Sequence, residues 1–177
     1  MVTIRHERAA DIAAREALLD EAFGETRFRK SSERLREQRL PANGLAFVAT
    51  EARRVIGTAR MWNVSCGGEK TALLLGPVAV ACDHQCRGIG AQLVQRAIGK
   101  GQKLGHAAIV LVGDAEYYGR FGFSAAKTGA LSMPGPYEPH RLLALELTPG
   151  ALDGASGTIA AAGTLLQPRR SRRRRAA

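Results

Sequence analysis

Two glycines at the start of a helix are the residues of this sequence most suited to binding chemistry. They lie in the run Gln85-Cys86-Arg87-Gly88-Ile89-Gly90-Ala91. Unpaired N–H groups and the helix dipole favour an anion at a helix start, and glycine lets that anion approach the backbone closely. Arg87 adds a full positive charge beside them. The run therefore predicts a phosphate cradle, although a simple tight turn would use the same glycines.

An apolar strand and an amphipathic helix must position this cradle. The apolar positions after the glycines share one helical face, at Ile89, Leu93, Val94, Ala97 and Ile98. The preceding apolar run, Ala72 to Val80, is too short to span a membrane and predicts a buried strand. Gly76-Pro77 interrupts it, and proline has no N–H for a sheet ladder. We therefore expect this strand to bend there and to separate from its next neighbour.

Hydrophobic periodicity along the rest of the chain predicts a mixed sheet with helices, an α+β fold. Strands are expected at Val2–Arg5, Leu45–Thr50, Val55–Val64, Thr71–Val80, Ala107–Val112, from Phe123 onward and at Arg141–Leu147. The second, third and fourth of these should form an antiparallel meander, and the fully apolar fifth should run parallel to the fourth. Helices are expected at Ala9–Phe23, after the glycines, and after a cap at Asp114. The charged, weakly amphipathic stretch Arg27–Leu40 could contain a short helix that Ser31 or Ser32 caps and that ends before Pro41.

The net charge of +10 is unevenly distributed over the 177 residues. The last ten residues hold six arginines and no acidic residue, so the rest of the chain carries about +4. We expect one domain over residues 1–148 and a flexible, small-residue and arginine-rich tail over 149–177. Such a tail could bind nucleic acid through phosphates, without aromatic residues to read a base sequence.

The cysteines and the N-terminus indicate a reducing compartment. The three cysteines, Cys66, Cys82 and Cys86, have no second pair or histidine cluster with metal-site spacing, so we predict reduced thiols and no metal. Charged residues interrupt the N-terminus at Arg5–Arg8, and no apolar run reaches membrane length. We therefore expect a cytoplasmic protein without a membrane partner.

Two motifs resemble those of a known family. Gln85-x-x-Gly88-x-Gly90 resembles the acetyl-CoA signature of the GNAT acetyltransferases, and Tyr118-x-x-x-Gly122-Phe123 resembles their second landmark. The runs GPVAVACDHQCRGIGAQL and VLVGDAEYYGRFGF are similar to the YhbS-like bacterial branch of that family. The resemblance covers residues 2–148. It implies a GNAT fold, a twisted mixed sheet of about six to seven strands with helices on both faces, splayed at its central strand.

The resemblance also implies acetyl-CoA as cosubstrate. Backbone groups of Val78 and Val80 would pair with the pantetheine amides in the splay, and the N–H groups from Cys86 to Ala91 would hold the diphosphate between the Gln85 and Arg87 side chains. The implied cofactor-binding residues are Val78, Ala79, Val80, Gln85, Cys86, Arg87, Gly88, Ile89, Gly90 and Ala91. The thioester brings its own electrophile, so no metal is expected.

The implied reaction is direct attack of a primary amine, from a small molecule or a protein, on the acetyl carbon. Tyr118 matches the position of the general acid, and proton transfer from an ordinary phenol to the departing thiolate is uphill by about 2 kcal/mol. Its neighbour Tyr117 is expected to pack under the sheet. No Asp, Glu or His lies within Thr71–Val80 to act as base, and Glu69 and Glu116 are close only in sequence.

Several points stay open in the sequence. The acceptor pocket would be built from the two N-terminal helices and the Ser132–Pro139 loop, which have no distinctive residue set. A non-catalytic acyl-CoA-binding module would carry the same cradle, whereas a dinucleotide fold would need a third glycine at Leu93. Asp114 replaces a polar segment containing Asn in many relatives, and Cys86 could make the cradle sensitive to oxidation. Monomer and homodimer are both compatible with the sequence.

Overall fold

The computed structural model describes residues 1–167. Its strands are β1 (Thr3–His6), β2 (Ala46–Glu51), β3 (Arg54–Ser65), β4 (Thr71–Val80), β5 (Ala108–Val112), β6 (Leu131–Ser132), β7 (Leu142–Glu146), β8 (Gly157–Thr158) and β9 (Ala160–Ala161). Its α-helices are α1 (Ile12–Phe23), α2 (Ile89–Lys103) and α3 (Ala115–Gly119). Short 3-10 turns occupy Ala9–Asp11, Glu25–Arg29, Glu33–Leu35, Cys82–His84 and Pro139–Arg141.

The main sheet is mixed, with the strand order β1-β2-β3-β4-β5-β7. Neighbouring strands in it are antiparallel except β4 and β5, which are parallel and joined through α2. The short strand β9 pairs with the end of β3, and β6 and β8 form a separate parallel pair. The predicted meander, the parallel crossover and the mixed sheet are therefore confirmed.

The central strand splits from its neighbour where the sequence places Gly76-Pro77. β4 and β5 pair only at Leu73–Leu74, opposite Ile109–Val110. On its other side β4 carries a bulge, because Ala59 pairs with Val78 while Met61 pairs with Leu75. The extra residue bends the strand and increases its local twist. The predicted bend and separation are confirmed, and they open a gap between two parallel strands.

Each face of the sheet has its own hydrophobic core. Helices α1 and α2 cover one face, with buried side chains from Leu18, Leu19, Phe47, Leu73, Leu93, Val94, Ala97 and Ile109. The other face is covered by the turn at Leu35 and by the chain that follows β5, with buried side chains from Leu35, Trp62, Val64, Leu74, Val110, Met133, Leu152 and Ile159. Trp62 packs in this second core, and its Nε1 donates a hydrogen bond to the Gly76 carbonyl at 2.6 Å.

Two predicted elements are shorter than expected. The short helix expected after Ser31 or Ser32 is a single 3-10 turn at Glu33–Leu35, and another 3-10 turn, Glu25–Arg29, precedes it with extended backbone at Lys30 between them. Buried Arg27 instead forms ion pairs with α1 at Glu16 and Asp20, and these tertiary contacts outweigh a weakly amphipathic pattern. The strand expected from Phe123 is reduced to a single bridge between Ser124 and Ala144, while Phe123 is a buried core residue.

The segment 149–167 packs against the second core. Leu152 is 2% exposed and Ile159 is fully buried. This packing differs from the flexible tail expected from residue 149 onward, because the apolar side chains of the segment are buried against the second face of the sheet. The domain boundary itself stays a prediction, and the arginine run lies outside the described residues.

The three cysteines differ in their exposure to solvent. All three cysteines are free thiols; Cys66 is buried, whereas Cys82 and Cys86 are exposed. Burial raises the pKa of the Cys66 thiol to about 11, so this thiol stays protonated and unreactive.

Among residues 1–167, no helix combines the length and the apolar character that a membrane crossing requires.

Candidate active site

A pocket of 620 Å³ lies between the end of β4, the start of α2 and helix α3. It is lined by Val78, Ala79, Val80, His84, Gln85, Cys86, Gly88, Ile89, Gly90, Ala91, Tyr117, Tyr118 and Arg120. The structure thus brings together Tyr118 and every residue expected to bind the cofactor except Arg87. These residues come from separate segments, and the split of β4 from β5 makes room for the pocket between them.

The backbone from Cys86 to Ala91 forms a concave set of N–H groups. Cys86 (φ 59°) and Gly88 (φ 75°) both have left-handed backbone, and Gly88 caps α2. None of the six N–H groups from Cys86 to Ala91 donates a hydrogen bond to another residue of the described chain. Successive unpaired N–H groups at a helix start hold anions. The residues present therefore fit a diphosphate group.

Arg87 points away from the pocket and pairs with Glu51 at the end of β2. Both guanidinium Nη atoms lie 3.1 Å from the two Glu51 carboxylate oxygens. Glu51 also contacts His84 Nε2 at 3.0 Å. The hydrogen bonds from Arg87 and His84 lower the pKa of Glu51 to about 2, so the carboxylate is ionised in this arrangement. This placement differs from the expectation that the Arg87 side chain flanks the diphosphate.

The Gln85 side chain contacts the central strand. Its Nε2 donates to the Val80 carbonyl at 3.3 Å, which is one of the backbone groups expected to pair with pantetheine. Val78 and Val80 are half-buried, and both line the pocket. The unpaired edge of β4 therefore faces the pocket, with one carbonyl already in contact with a side chain.

Tyr118 lies at the wedge, the gap that opens where β4 separates from β5. Its ring packs edge-on against Tyr117 and Phe123, at centroid distances of 4.9 and 5.9 Å. Burial, with a smaller contribution from Tyr117, raises the pKa of Tyr118 to about 12. No residue of the described chain forms a hydrogen bond with the Tyr118 hydroxyl in the structure. This phenol is protonated at any physiological pH and is free to donate to a ligand.

Tyr117 does not pack under the sheet, and that expectation is wrong. Its hydroxyl lies 3.2 Å from the position that a Cβ at Gly90 would take, and the ring lines the pocket. The Arg120 guanidinium stacks 3.9 Å above the Tyr117 ring centroid. Tyr117, Arg120 and His84 are the lining residues that sequence reasoning missed. The sequence could have indicated these residues only through their positions, because each lies beside or within a recognised motif.

A second pocket of 230 Å³ lies on the other side of the wedge and shares Val78 and Tyr118 with the first. Four cationic side chains line it: Arg27, Lys30, Arg36 and Arg141. Asp114 is the carboxylate in its lining, and its Oδ1 accepts the Tyr117 N–H at 2.7 Å as the predicted helix cap. Neither Glu69 nor Glu116 lines either pocket.

The expected acceptor region is only partly assembled as predicted. The N-terminal segment contributes Lys30 and Ser32 to the second pocket. The loop after β6 contributes Pro136, Tyr137 and Glu138 to an adjoining cavity of 240 Å³, which also contains Lys30, Ser32 and Arg141. Within the described residues, no three His, Cys, Asp or Glu side chains come close enough to hold a metal ion.

Comparison with known proteins agrees with this geometry. The family profile of the acetyltransferase (GNAT) domain matches residues 42–125. YhbS of Escherichia coli K12, described as an uncharacterized N-acetyltransferase, is 30% identical over 157 residues, which cover 88% of this chain and 93% of YhbS.

Solved structures give the same result. The crystal structure of E. coli YhbS in complex with CoA superposes with a TM-score of 0.77 at 29% identity, covering 91% of this chain and 89% of that one. A GNAT acetyltransferase from Brucella melitensis in complex with acetyl-CoA has a TM-score of 0.58 at 30% identity, covering 82% of this chain and 96% of that one. The shared sequence, the split sheet and the domain profile together show that this chain belongs to the GNAT family and is an N-acetyltransferase.

Proposed function

We propose that this acetyltransferase takes its acetyl group from acetyl-CoA and passes it directly to a primary amine across the wedge between β4 and β5. The observation that carries the proposal is the meeting of two pockets at Val78 and Tyr118. The larger pocket holds the N–H cradle and suits the donor, and the smaller one suits the acceptor. The relatives from E. coli and B. melitensis, solved with CoA and acetyl-CoA, support this choice of donor.

The chain's own backbone would do most of the donor binding. The N–H groups of Cys86 to Ala91 would accept the diphosphate, and the free edge of β4 at Val78 and Val80 would pair with amides of the pantetheine arm. When bound, the donor supplies an activated thioester carbonyl. The Gln85 side chain would have to leave the Val80 carbonyl for that pairing to be complete.

Tyr118 would act as the acid that meets the departing sulfur. With a pKa of about 12, full proton transfer to a thiolate of pKa about 8.5 is uphill by roughly 5 kcal/mol, compared with about 2 kcal/mol for an ordinary phenol. Arg141 acts in the opposite direction and lowers the pKa of Tyr118. Tyr118 would therefore donate a hydrogen bond as charge develops on sulfur and give its proton to the thiolate as it leaves. The proton that the nitrogen loses on becoming an amide, passed directly or through water, would return Tyr118 to its neutral form.

Deprotonation of the amine needs no dedicated carboxylate in this arrangement. An alkylamine at pH 7 is unprotonated in roughly one molecule of 2,500, which corresponds to about 4.6 kcal/mol. The cationic side chains around the second pocket favour the neutral amine over its ammonium form once it is bound. The activity should therefore rise with pH as the amine loses its proton.

The test is acetyl-CoA turnover with a panel of primary amines, followed by thiol release. Tyr118→Phe should lower kcat by roughly a hundredfold or more while acetyl-CoA affinity changes little, because only the acid is removed. Tyr117→Phe, whose hydroxyl lies at the cradle, should change acetyl-CoA affinity more than kcat. Undiminished turnover in Tyr118→Phe would exclude this role for Tyr118.

The pH profile gives an independent check of the same residue. Tyr118 must be protonated to act as the acid. Its pKa of about 12 means that it loses this proton only above the pH range in which ordinary phenols ionise. The kcat/KM of the wild type should therefore rise through pH 7 to 10 without falling near pH 10. A fall centred near pH 10 that is also present in Lys30→Gln would mean that the acid is a group with an ordinary phenol pKa.

A further inference from the structure

The second pocket carries more positive charge than its own carboxylates compensate. Arg27 is balanced by Glu16 and Asp20 at 2.6 and 2.9 Å, and Arg36 by Glu33 at 2.7 Å. Lys30 and Arg141 are the remaining cations of the lining. These two side chains also line the adjoining cavity, so they lie where the two spaces meet.

Lys30 has no carboxylate within ion-pair distance in the described chain. Its ammonium lies 4.6 Å from the Phe23 ring centroid, a cation–π contact. Partial desolvation and the like charges of Arg36 and Arg141 lower the pKa of Lys30. Lys30 is therefore held among like charges with no counter-ion of its own.

Arg141 is only loosely compensated. Its Nη1 lies 3.9 Å from the exposed Glu138 carboxylate, and its Nε donates to the Gly113 carbonyl at 3.3 Å. Glu138 and Asp114 are the carboxylates that face this region, and Asp114 is engaged in capping α3. One guanidinium edge therefore remains available beside the Lys30 ammonium.

The size and charge of the space define what fits. The pocket of 230 Å³ adjoins the cavity of 240 Å³, and the two together lie at the low end of the range of about 300–1,000 Å³ that holds small-molecule ligands, so they suit a small acceptor. A simple alkylammonium would meet four cationic side chains there. A negatively charged group attached to the amine would instead give Lys30 and Arg141 their missing partner.

We propose that the acceptor is a small primary amine that bears an anionic group, a carboxylate or a phosphate, bound by Lys30 and Arg141 with the amine directed at the wedge. This inference rests on the proposed function, since it names the substrate class of the same site. The anionic group holds the acceptor, and the cationic surroundings keep its amine neutral for attack.

The experiment compares matched amines with acetyl-CoA. The carboxylate pair is 3-aminopropanoate and its neutral partner propylamine. The phosphate pair is 2-aminoethyl phosphate and its neutral partner 2-aminoethanol. The amine with a second positive charge is 1,4-diaminobutane. The kcat/KM of the anionic member should exceed that of its neutral partner by roughly tenfold to a hundredfold, the range of a charge-assisted hydrogen bond. The two pairs distinguish carboxylate from phosphate recognition.

Variants assign the preference to the pocket. Lys30 is exposed at the surface, so Lys30→Gln should fold normally. It should reduce kcat/KM for the anionic amines by about tenfold, and by more than it reduces kcat/KM for their neutral partners. Lys103→Gln, in the last turn of α2 and outside both pockets, is the matched control and should retain the full preference.

The outcomes separate the two proposals. Preference for neutral or cationic amines, or a preference for anionic amines that Lys30→Gln does not reduce, would overturn the anion site at Lys30 while leaving acetyl transfer intact. If no amine is acetylated, the proposed transfer to amines fails, and calorimetric titration of 3-aminopropanoate and inorganic phosphate still decides the pocket. Binding to the wild type that is lost in Lys30→Gln supports the anion site, and absence of binding to the wild type rejects it.

Discussion

Gly113 determines where the Tyr118 ring can lie. It follows β5 directly, and a Cβ built there would meet Cε2 and Cδ2 of Tyr118 at 2.5 and 2.8 Å and Leu111 Cδ1 at 3.0 Å. The ring of the proposed acid thus occupies the space that any other residue at position 113 would fill. Its position depends on a residue that has no side chain.

Gly113→Ala tests this dependence. The added methyl group must displace the Tyr118 ring, and kcat should fall by at least about tenfold, because a small misplacement of a catalytic group is costly. Gly119→Ala is the control, since a Cβ at that helical position meets nothing within 4 Å. Steady-state kinetics of both variants, with acetyl-CoA affinity measured by calorimetry, is the measurement. Equal kcat in the two variants would contradict the argument.

Ion pairs connect β2 and β3 to the residues around the cradle. Glu51 ends β2 and holds both Arg87 and His84 beside the start of α2. Arg54, which begins β3, pairs in turn with Asp83 at 2.5 Å. A carboxylate beside a proposed diphosphate site opposes anion binding, while it also keeps the nearest arginine occupied.

Glu51→Gln should tighten CoA binding several-fold at low salt. The change removes one negative charge and releases Arg87 toward the cradle, and the gain should shrink as added salt screens the exposed charges. Glu37→Gln, at an exposed position away from both pockets, is the comparison and should leave the affinity unchanged. Weaker binding by Glu51→Gln would instead mean that the Glu51 contact positions the loop for the ligand.

For the molecule as a whole, the segment 149–167 completes the second core. The sheet face around Trp62, Val64 and Val110 has no long helix over it, and Leu152 and Ile159 are buried there. Folding therefore requires chain that lies beyond the residues matched by the family profile, 42–125. The segment contributes to stability and not to either pocket.

Ile159→Ala should lower the free energy of unfolding by about 2–5 kcal/mol, the range for truncation of a fully buried aliphatic side chain. Leu166→Ala, at a side chain that is 53% exposed, should change it by less than about 0.5 kcal/mol. Urea denaturation followed by circular dichroism measures both. Similar small losses in the two variants would show that the segment is not part of the cooperative fold.

Much of the fold and part of the candidate site could be predicted from local signals. The Gln85–Ala91 run, the break at Gly76-Pro77 and the meander rest on backbone sterics and periodicity within a few neighbouring residues. The length of the short helix after Ser31 or Ser32 could not be predicted in this way, because the preceding Arg27 is held by ion pairs with α1. The strand at Phe123 failed for a similar reason, since that residue packs against Tyr118 instead of extending a ladder.

By itself, the sequence determined the anion-suited helix start, the interrupted central strand and the family motif at Tyr118, because each is encoded by residues adjacent in the chain. Other properties depend on the folded chain: Arg87 pairs with Glu51, Tyr117 lines the pocket, and burial raises the pKa of Tyr118 to about 12. The meeting of Lys30 and Arg141 in one pocket also depends on it. These properties arise from charges and contacts between residues far apart in sequence, which no local pattern records.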